Sequence, residues 1–134
     1  TTMTGGDLAD EMSRDVAAFA ELGVWKVRLT GGEPSVRRDL VSIVESVASV
    51  PGIRFVALST NGARLAEQAQ ALRAAGLKGL NLSLDSLDPS IFAKMTGRQE
   101  FERVSRGIET ALTAGFRSVK VNIGNSAKLN IMLF

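Results

Sequence analysis

Polar and apolar residues alternate with period two in four short stretches, and between them lie segments whose apolar residues recur every three or four positions. In 24–30, Trp25, Val27 and Leu29 share one parity, and Lys26, Arg28 and Thr30 the other. In 53–61, Phe55, Ala57, Ser59 and Asn61 oppose Val56 and Leu58. In 79–85, Leu80, Leu82 and Leu84 oppose Asn81, Ser83 and Asp85, and in 118–123, Val119, Val121 and Ile123 oppose Ser118, Lys120 and Asn122. The pattern predicts four strands.

The intervening segments predict helices. Thr4-Gly5-Gly6-Asp7 offers a cap, after which Leu8, Met12, Val16 and Phe19 mark a helix over about 7–22, closed by Gly23. Pro34-Ser35 leads into a second helix lined by Leu40, Val41, Val44 and Val47, which Pro51-Gly52 stops. The alanine-rich 63–75 is a third, ended by Gly76. Asp88-Pro89 opens a short helix carrying Ile91, Phe92 and Met95 up to Gly97. A longer helix from about Glu100 carries Phe101, Val104, Ile108 and Leu112 to Gly115.

Strands that alternate with helices of this length imply right-handed crossovers and a parallel sheet. A strand buried between two helical layers reads as a near-continuous apolar run. Here every strand keeps one polar parity, so helices cover only the other, and the sheet is expected to curve with helices outside and a polar lumen within. The expectation is an α/β fold, an arc of a (βα) barrel with about four parallel strands, forming one partial domain over 1–134. The competing reading is the solvated face of an antiparallel sheet. In the tail IGNSAKLNIMLF, apolar Ile131 to Phe134 follow no helix, so the next βα unit is missing or altered.

Composition narrows the function. Of 134 residues 45% are apolar and 22% charged, enough for one core but not for two full domains. Sixteen basic residues nearly balance fourteen acidic ones and are spread along the chain, which argues against a nucleic-acid arm or a polybasic membrane patch. No stretch approaches the roughly 18 apolar residues that span a bilayer, and the start TTMTGGDLADEM lacks a signal pattern, so a cytoplasmic location is expected. Cysteine and histidine are both absent. That removes disulfides, thiolate and imidazole metal ligands and the usual proton shuttle. As it stands, the chain cannot hold an iron–sulfur cluster by cysteines.

Candidate chemistry gathers at the carboxyl ends of the strands, where strand-to-helix turns present backbone groups. The junction RLTGGEPSVRRDL (28–40) is central, with Gly31 and Gly32 letting the backbone approach a ligand. Taken alone, this turn reads first as an ordinary βα turn and Arg37-Arg38-Asp39 first as a solvated helix start, and Glu33 can merely cap that helix. A polar row of Arg28, Thr30, Ser59, Asn61, Asn81, Ser83, Asp85, Lys120 and Asn122 converges on one cavity. Its fixed cations, amides and hydroxyls suit an anionic, hydrogen-bonding ligand such as a nucleotide. Neither G-x-G-x-x-G nor a P-loop pattern is present.

Together, RLTGGEPSVRRDL (28–40), LSTNGARL (58–65), AGLKGLNLSLDSLDP (75–89), FAKMTGR (92–98) and AGFRSVKVN (114–122) resemble the GTP 3′,8-cyclase family of radical S-adenosylmethionine enzymes. The resemblance is collinear from about Leu8 to Asn122. It implies a (βα)6 partial TIM barrel that binds S-adenosylmethionine, a [4Fe–4S] cluster and GTP. A 5′-deoxyadenosyl radical would convert GTP to 3′,8-cyclo-7,8-dihydro-GTP, a step of molybdenum cofactor biosynthesis. By the resemblance, Gly32 with its neighbours Gly31 and Glu33 matches the turn that binds the methionine end of S-adenosylmethionine, and Ser83 a hydrogen-bonding partner of that cofactor. Arg28, Ser59 and Lys120 match positions that hold GTP; the family more often has threonine where Ser59 stands.

The departures are as informative. The family's first strand, with its C-x3-C-x2-C loop, and its second set of cluster cysteines have no counterpart in these residues. The expectation is thus a domain shortened at the N-terminal strand and on the C-terminal side, inactive alone, with no catalytic or metal-ligating residue of its own. The expected partner is GTP, with no nucleic acid and no membrane, and the resemblance admits a homodimer for the full-length protein. Two alternatives stand beside this reading: another radical enzyme of the superfamily, acting on a peptide or a tetrapyrrole, and a non-catalytic nucleotide-binding half barrel. Arg28 together with Lys120 favours GTP over a peptide.

Overall fold

A computed structural model describes residues 5–30, 33–84, 98–123 and 129–133. The predicted short helix at Asp88-Pro89, and Asp85 itself, lie outside the described residues. The elements run α1 (Gly5–Glu21), β1 (Lys26–Leu29), a 3-10 turn (Pro34–Val36), α2 (Leu40–Ala48), β2 (Phe55–Thr60), α3 (Leu65–Ala75), β3 (Gly79–Leu84), α4 (Arg98–Thr113), β4 (Ser118–Ile123) and β5 (Leu129–Leu133).

The sheet order is β1-β2-β3-β4-β5, so each strand lies beside its sequence neighbour. The first four are parallel, with Arg28 opposite Ala57, Ala57 opposite Gly79 and Gly79 opposite Ser118. Sequential parallel order, with helices returning on one side, winds the sheet in one direction, as in a barrel wall. The apolar parity makes the core. Leu58, Leu72, Leu77, Leu80, Leu82, Val44, Val47 and Val56 have almost no exposure, and Val27, Val119 and Val121 join them beneath the helices. Helix α1 packs on α2, α2 on α3 and α3 on α4 along that convex side.

Two differences from the sequence pattern have local causes. Pro34-Ser35 does not open α2 directly. It forms a single 3-10 turn, capped by Glu33, and the chain turns again through Arg38 and Asp39 before α2 begins at Leu40. Proline at the first position supplies the fixed φ of a helical start, but the Arg37 backbone is extended, at φ −76° and ψ 130°, and interrupts it. The tail is the second difference. Leu129–Leu133 pairs antiparallel with β4, placing Met132 opposite Lys120 and Asn130 opposite Asn122, so the altered unit is a strand pair and not a βα repeat.

Gly79 fits its place by lacking a side chain: a Cβ there would sit 2.8 Å from the Phe55 ring. The ring therefore lies against bare backbone and fills the amino end of the concave side. Among the described residues β1 pairs only with β2, so its other edge is open. Phe19, Leu22 and Trp25 nearby are 57%, 82% and 51% exposed. No described helix is long and apolar enough to cross a membrane.

Candidate functional site

At the carboxyl ends of β1 and β2 the chain ties itself together through Glu33. Its Oε1 accepts the Asn61 backbone N–H at 2.7 Å, and its Oε2 accepts the Ser35 N–H at 2.9 Å, the Thr60 hydroxyl at 2.8 Å and the Ser35 hydroxyl. Partial burial opposes the charge on Glu33. Hydrogen bonds from the Ser35 hydroxyl, the Asn61 and Ser35 N–H groups and the Thr60 hydroxyl outweigh that, and the carboxyl is held below its ordinary value. Thr60 Oγ1 in turn accepts from the Gly62 N–H at 3.2 Å, Asn61 Oδ1 from the Ala63 N–H at 2.9 Å, and Gln68 donates to the Ser35 carbonyl at 3.0 Å. The segments that follow β1 and β2 thus share one carboxylate.

The concave face below carries the polar parity. Lys26, Arg28, Phe55, Ala57, Gly79, Asn81, Ser118 and Lys120 line one shallow depression. The Lys26 ammonium lies 5.0 Å from the centre of the Phe55 ring, within cation–π range. Arg28 reaches across β2 to β3. With its amide oxygen turned to the guanidinium, Asn81 accepts from Nε at 3.0 Å and from Nη2 at 3.2 Å. Asn81 is 6% exposed, and Lys120 stands directly opposite it on β4. Among the described residues no acidic side chain lines this depression, and Lys26, Arg28 and Lys120 give it positive charge.

The sequence-predicted residues fall in four groups. Arg28 and Lys120 share the depression. Ser59 is half-buried on β2, in register with Asn81, and Ser83 is exposed near the end of β3, in register with Asn122. Glu33 is engaged on both carboxylate oxygens by its own chain, in line with the capping alternative. Gly31 and Gly32 lie outside the described residues. Sequence reading missed Thr60, whose hydroxyl is an anchor of the mouth on the apolar parity, and the floor formed by Phe55 on Gly79. The floor had a signal, a glycine opening a strand beside an aromatic on the polar parity.

Arg37 and Asp39, the basic start of the second predicted helix, pair with each other at 2.9 Å by two hydrogen bonds. Arg37 is exposed, as expected of a solvated surface. Between α1, the end of β1 and α2 lies an open, mostly apolar cleft of about 250 Å³, lined by Met12, Leu29, Thr30, Pro34, Arg37, Leu40 and Ile43.

A [4Fe–4S] cluster does not fit the residues present. The chain has no cysteine, and among the described residues no group of three or more His, Cys, Asp or Glu side chains could hold a metal ion.

Comparison with known proteins agrees with this geometry. The family model of the Radical SAM superfamily matches residues 7–126. Curated relatives named GTP 3′,8-cyclase include those of Aeromonas hydrophila, 55% identical over 84% of this chain and 33% of the relative, and Actinobacillus succinogenes, 50% identical over 84% and 34%. The one from Vibrio parahaemolyticus is 50% identical over 90% of this chain and 36% of its own length. The chain therefore spans about a third of the curated relatives it matches. Among solved structures, the crystal structure of HydG, a maturase of the [FeFe]-hydrogenase, superposes with a TM-score of 0.67 over 92% of this chain and 28% of that one, at 17% identity, a likeness of fold alone. A one-way parallel sheet with helices on its convex side, matched over 7–126, places the chain in the radical SAM superfamily.

Proposed function

We propose that this chain is the central βα region of a GTP 3′,8-cyclase, a cytoplasmic enzyme that converts GTP to 3′,8-cyclo-7,8-dihydro-GTP in molybdenum cofactor biosynthesis. The observation that carries the reading is the cationic row on the concave face, where Arg28 and Lys120 flank Asn81 with no carboxylate among the described residues of the lining. A triphosphate needs fixed positive charge and forked donors, and a guanidinium with a nearby ammonium supplies both. The relatives at 50–55% identity carry that name and support the same reading.

In this proposal Arg28, Ser59 and Lys120 hold GTP. Ser83, exposed at the carboxyl end of β3, and the backbone of Gly31 and Gly32 hold S-adenosylmethionine, while Glu33 fixes the turn that bears them. Bound there, S-adenosylmethionine would supply 5′-deoxyadenosyl radical chemistry toward the ribose, and the residues present include no cysteine to hold a cluster. For the 134 residues alone, that absence favours nucleotide binding without turnover.

Calorimetric titration with GTP tests the site. Binding by the wild-type chain that Arg28→Ala and Lys120→Ala each weaken about tenfold or more supports it. Equal binding by both variants overturns it.

A further inference from the structure

We infer that Asn81 is the positioning residue of the concave face: its amide oxygen holds one edge of the Arg28 guanidinium so that the other edge is presented to the bound anion. The inference rests on the reading of Arg28 as a GTP-binding residue, and its test separates the two.

The geometry has three parts. First, Asn81 accepts from Nε at 3.0 Å and Nη2 at 3.2 Å, the two nitrogens of one guanidinium edge. The opposite edge, formed by Nη1 and the second Nη2 hydrogen, keeps the parallel pair of donors that a phosphate oxygen pair accepts. Second, the anchor is the buried partner: Asn81 is 6% exposed, whereas Arg28 is exposed, so the amide is fixed by its surroundings and the long side chain is fixed by the amide. Third, the reach is diagonal. Arg28 lies opposite Ala57 and Ala57 opposite Gly79, two residues short of Asn81, so the guanidinium crosses β2 over a methyl group.

The residue type matters. A carboxylate at 81 would accept the same two donors but would cancel the charge that the anion needs. An amide orients the cation and leaves its charge intact. Preorganisation of this kind lowers the ordering cost of binding without adding a contact to the ligand.

The experiment uses the 134-residue chain and GTP itself. Asn81→Ala is expected to weaken GTP binding about fivefold, and Arg28→Ala at least as much. In the Arg28→Ala background, Asn81→Ala is expected to add nothing, the signature of a residue that acts through another. The Arg28 Nε–H resonance, followed by ¹⁵N NMR without ligand, is expected to be protected from exchange in wild type and in Asn81→Asp, and to exchange as in free arginine in Asn81→Ala. Asn81→Asp, nearly isosteric with the native residue, is expected to keep that protection yet bind GTP more weakly than wild type and with a flatter salt dependence. Independent losses that add in the double variant, or an Nε–H that exchanges freely in wild type, overturn the role of Asn81 and leave Arg28 as a GTP ligand. GTP binding untouched by Arg28→Ala overturns the ligand assignment itself, and with it the positioning role.

Discussion

Glu33 and Asn61, 28 residues apart, are joined by a 2.7 Å hydrogen bond from the Asn61 backbone N–H to the Glu33 carboxylate, which locks the turn after β1 to the end of β2. The stability of the mouth is therefore linked to pH. Glu33 titrates below its ordinary value of 4.5 in the folded chain, so its contribution is complete above about pH 4.5 and is lost as pH falls through the depressed folded value. Urea unfolding between pH 7 and pH 3 is expected to show that loss in wild type and less of it in Glu33→Gln. At pH 7, Glu33→Ala is expected to cost about 1–2 kcal/mol, below the range for a buried charged network because water reaches the carboxylate. A Glu33→Ala variant as stable as wild type would contradict the clamp.

Gly79→Ala would place a methyl carbon 2.8 Å from the Phe55 ring. The expected cost is about 1–3 kcal/mol, the usual range for overpacking. Phe55→Leu in the same chain is expected to recover part of it, since the shorter side chain vacates the contested space. Thermal unfolding of the two single variants and the double variant measures the recovery, and strictly additive losses would refute the contact.

Leu82 has no exposure and lies in the middle of the core. Leu82→Ala is expected to destabilise by about 2–5 kcal/mol, a large share of the stability of a small domain. By contrast, Arg37→Ala, which removes a solvated ion pair, is expected to leave the urea midpoint unchanged. Comparing the two midpoints checks both expectations.

Anaerobic reconstitution of this chain with iron and sulfide is expected to yield neither [4Fe–4S] absorption nor 5′-deoxyadenosine, because no cysteine is available. Under the proposed function, GTP binding is expected to be independent of the cluster. Each charged contact to phosphate lost in Arg28→Ala or Lys120→Ala is expected to cost about 1.5–3 kcal/mol of binding. Cluster absorption from the wild-type chain would show that other ligands can replace cysteine here.

The open edge of β1 and the exposed Phe19, Leu22 and Trp25 predict self-association. Sedimentation velocity is expected to show concentration-dependent species that Leu22→Glu reduces. A monomer across the micromolar range would remove the prediction.

Side-chain parity alone was enough to separate Val27, Leu58, Leu82 and Val121, beneath the helices, from Arg28, Asn81 and Lys120 on the other face. Period-two alternation reports which face a residue takes, and burial of one face enforces it. Contacts that depend on register were not legible. That Arg28 meets Asn81 follows from the stagger of three strands and the smallness of Ala57. The reach of Glu33 to Thr60 likewise needs the fold before the two residues are neighbours. The returning strand was not legible either, since a βα repeat read up to Ile123 points to another helix and not to a reversed strand.

A strand has only two edges along which it can hydrogen-bond. Those of β4 are both taken, one by β3 and the other by the reversed strand β5. Another parallel strand cannot join β4 without displacing β5, so enlargement of the arc on that side must begin outside Leu129–Leu133 or exchange with it. The reversal also carries the chain back from Ile123, at the mouth, to Leu133, opposite Val119 near the floor. On that flank the sheet ends in an antiparallel strand pair, so its two outermost strands run in opposite directions.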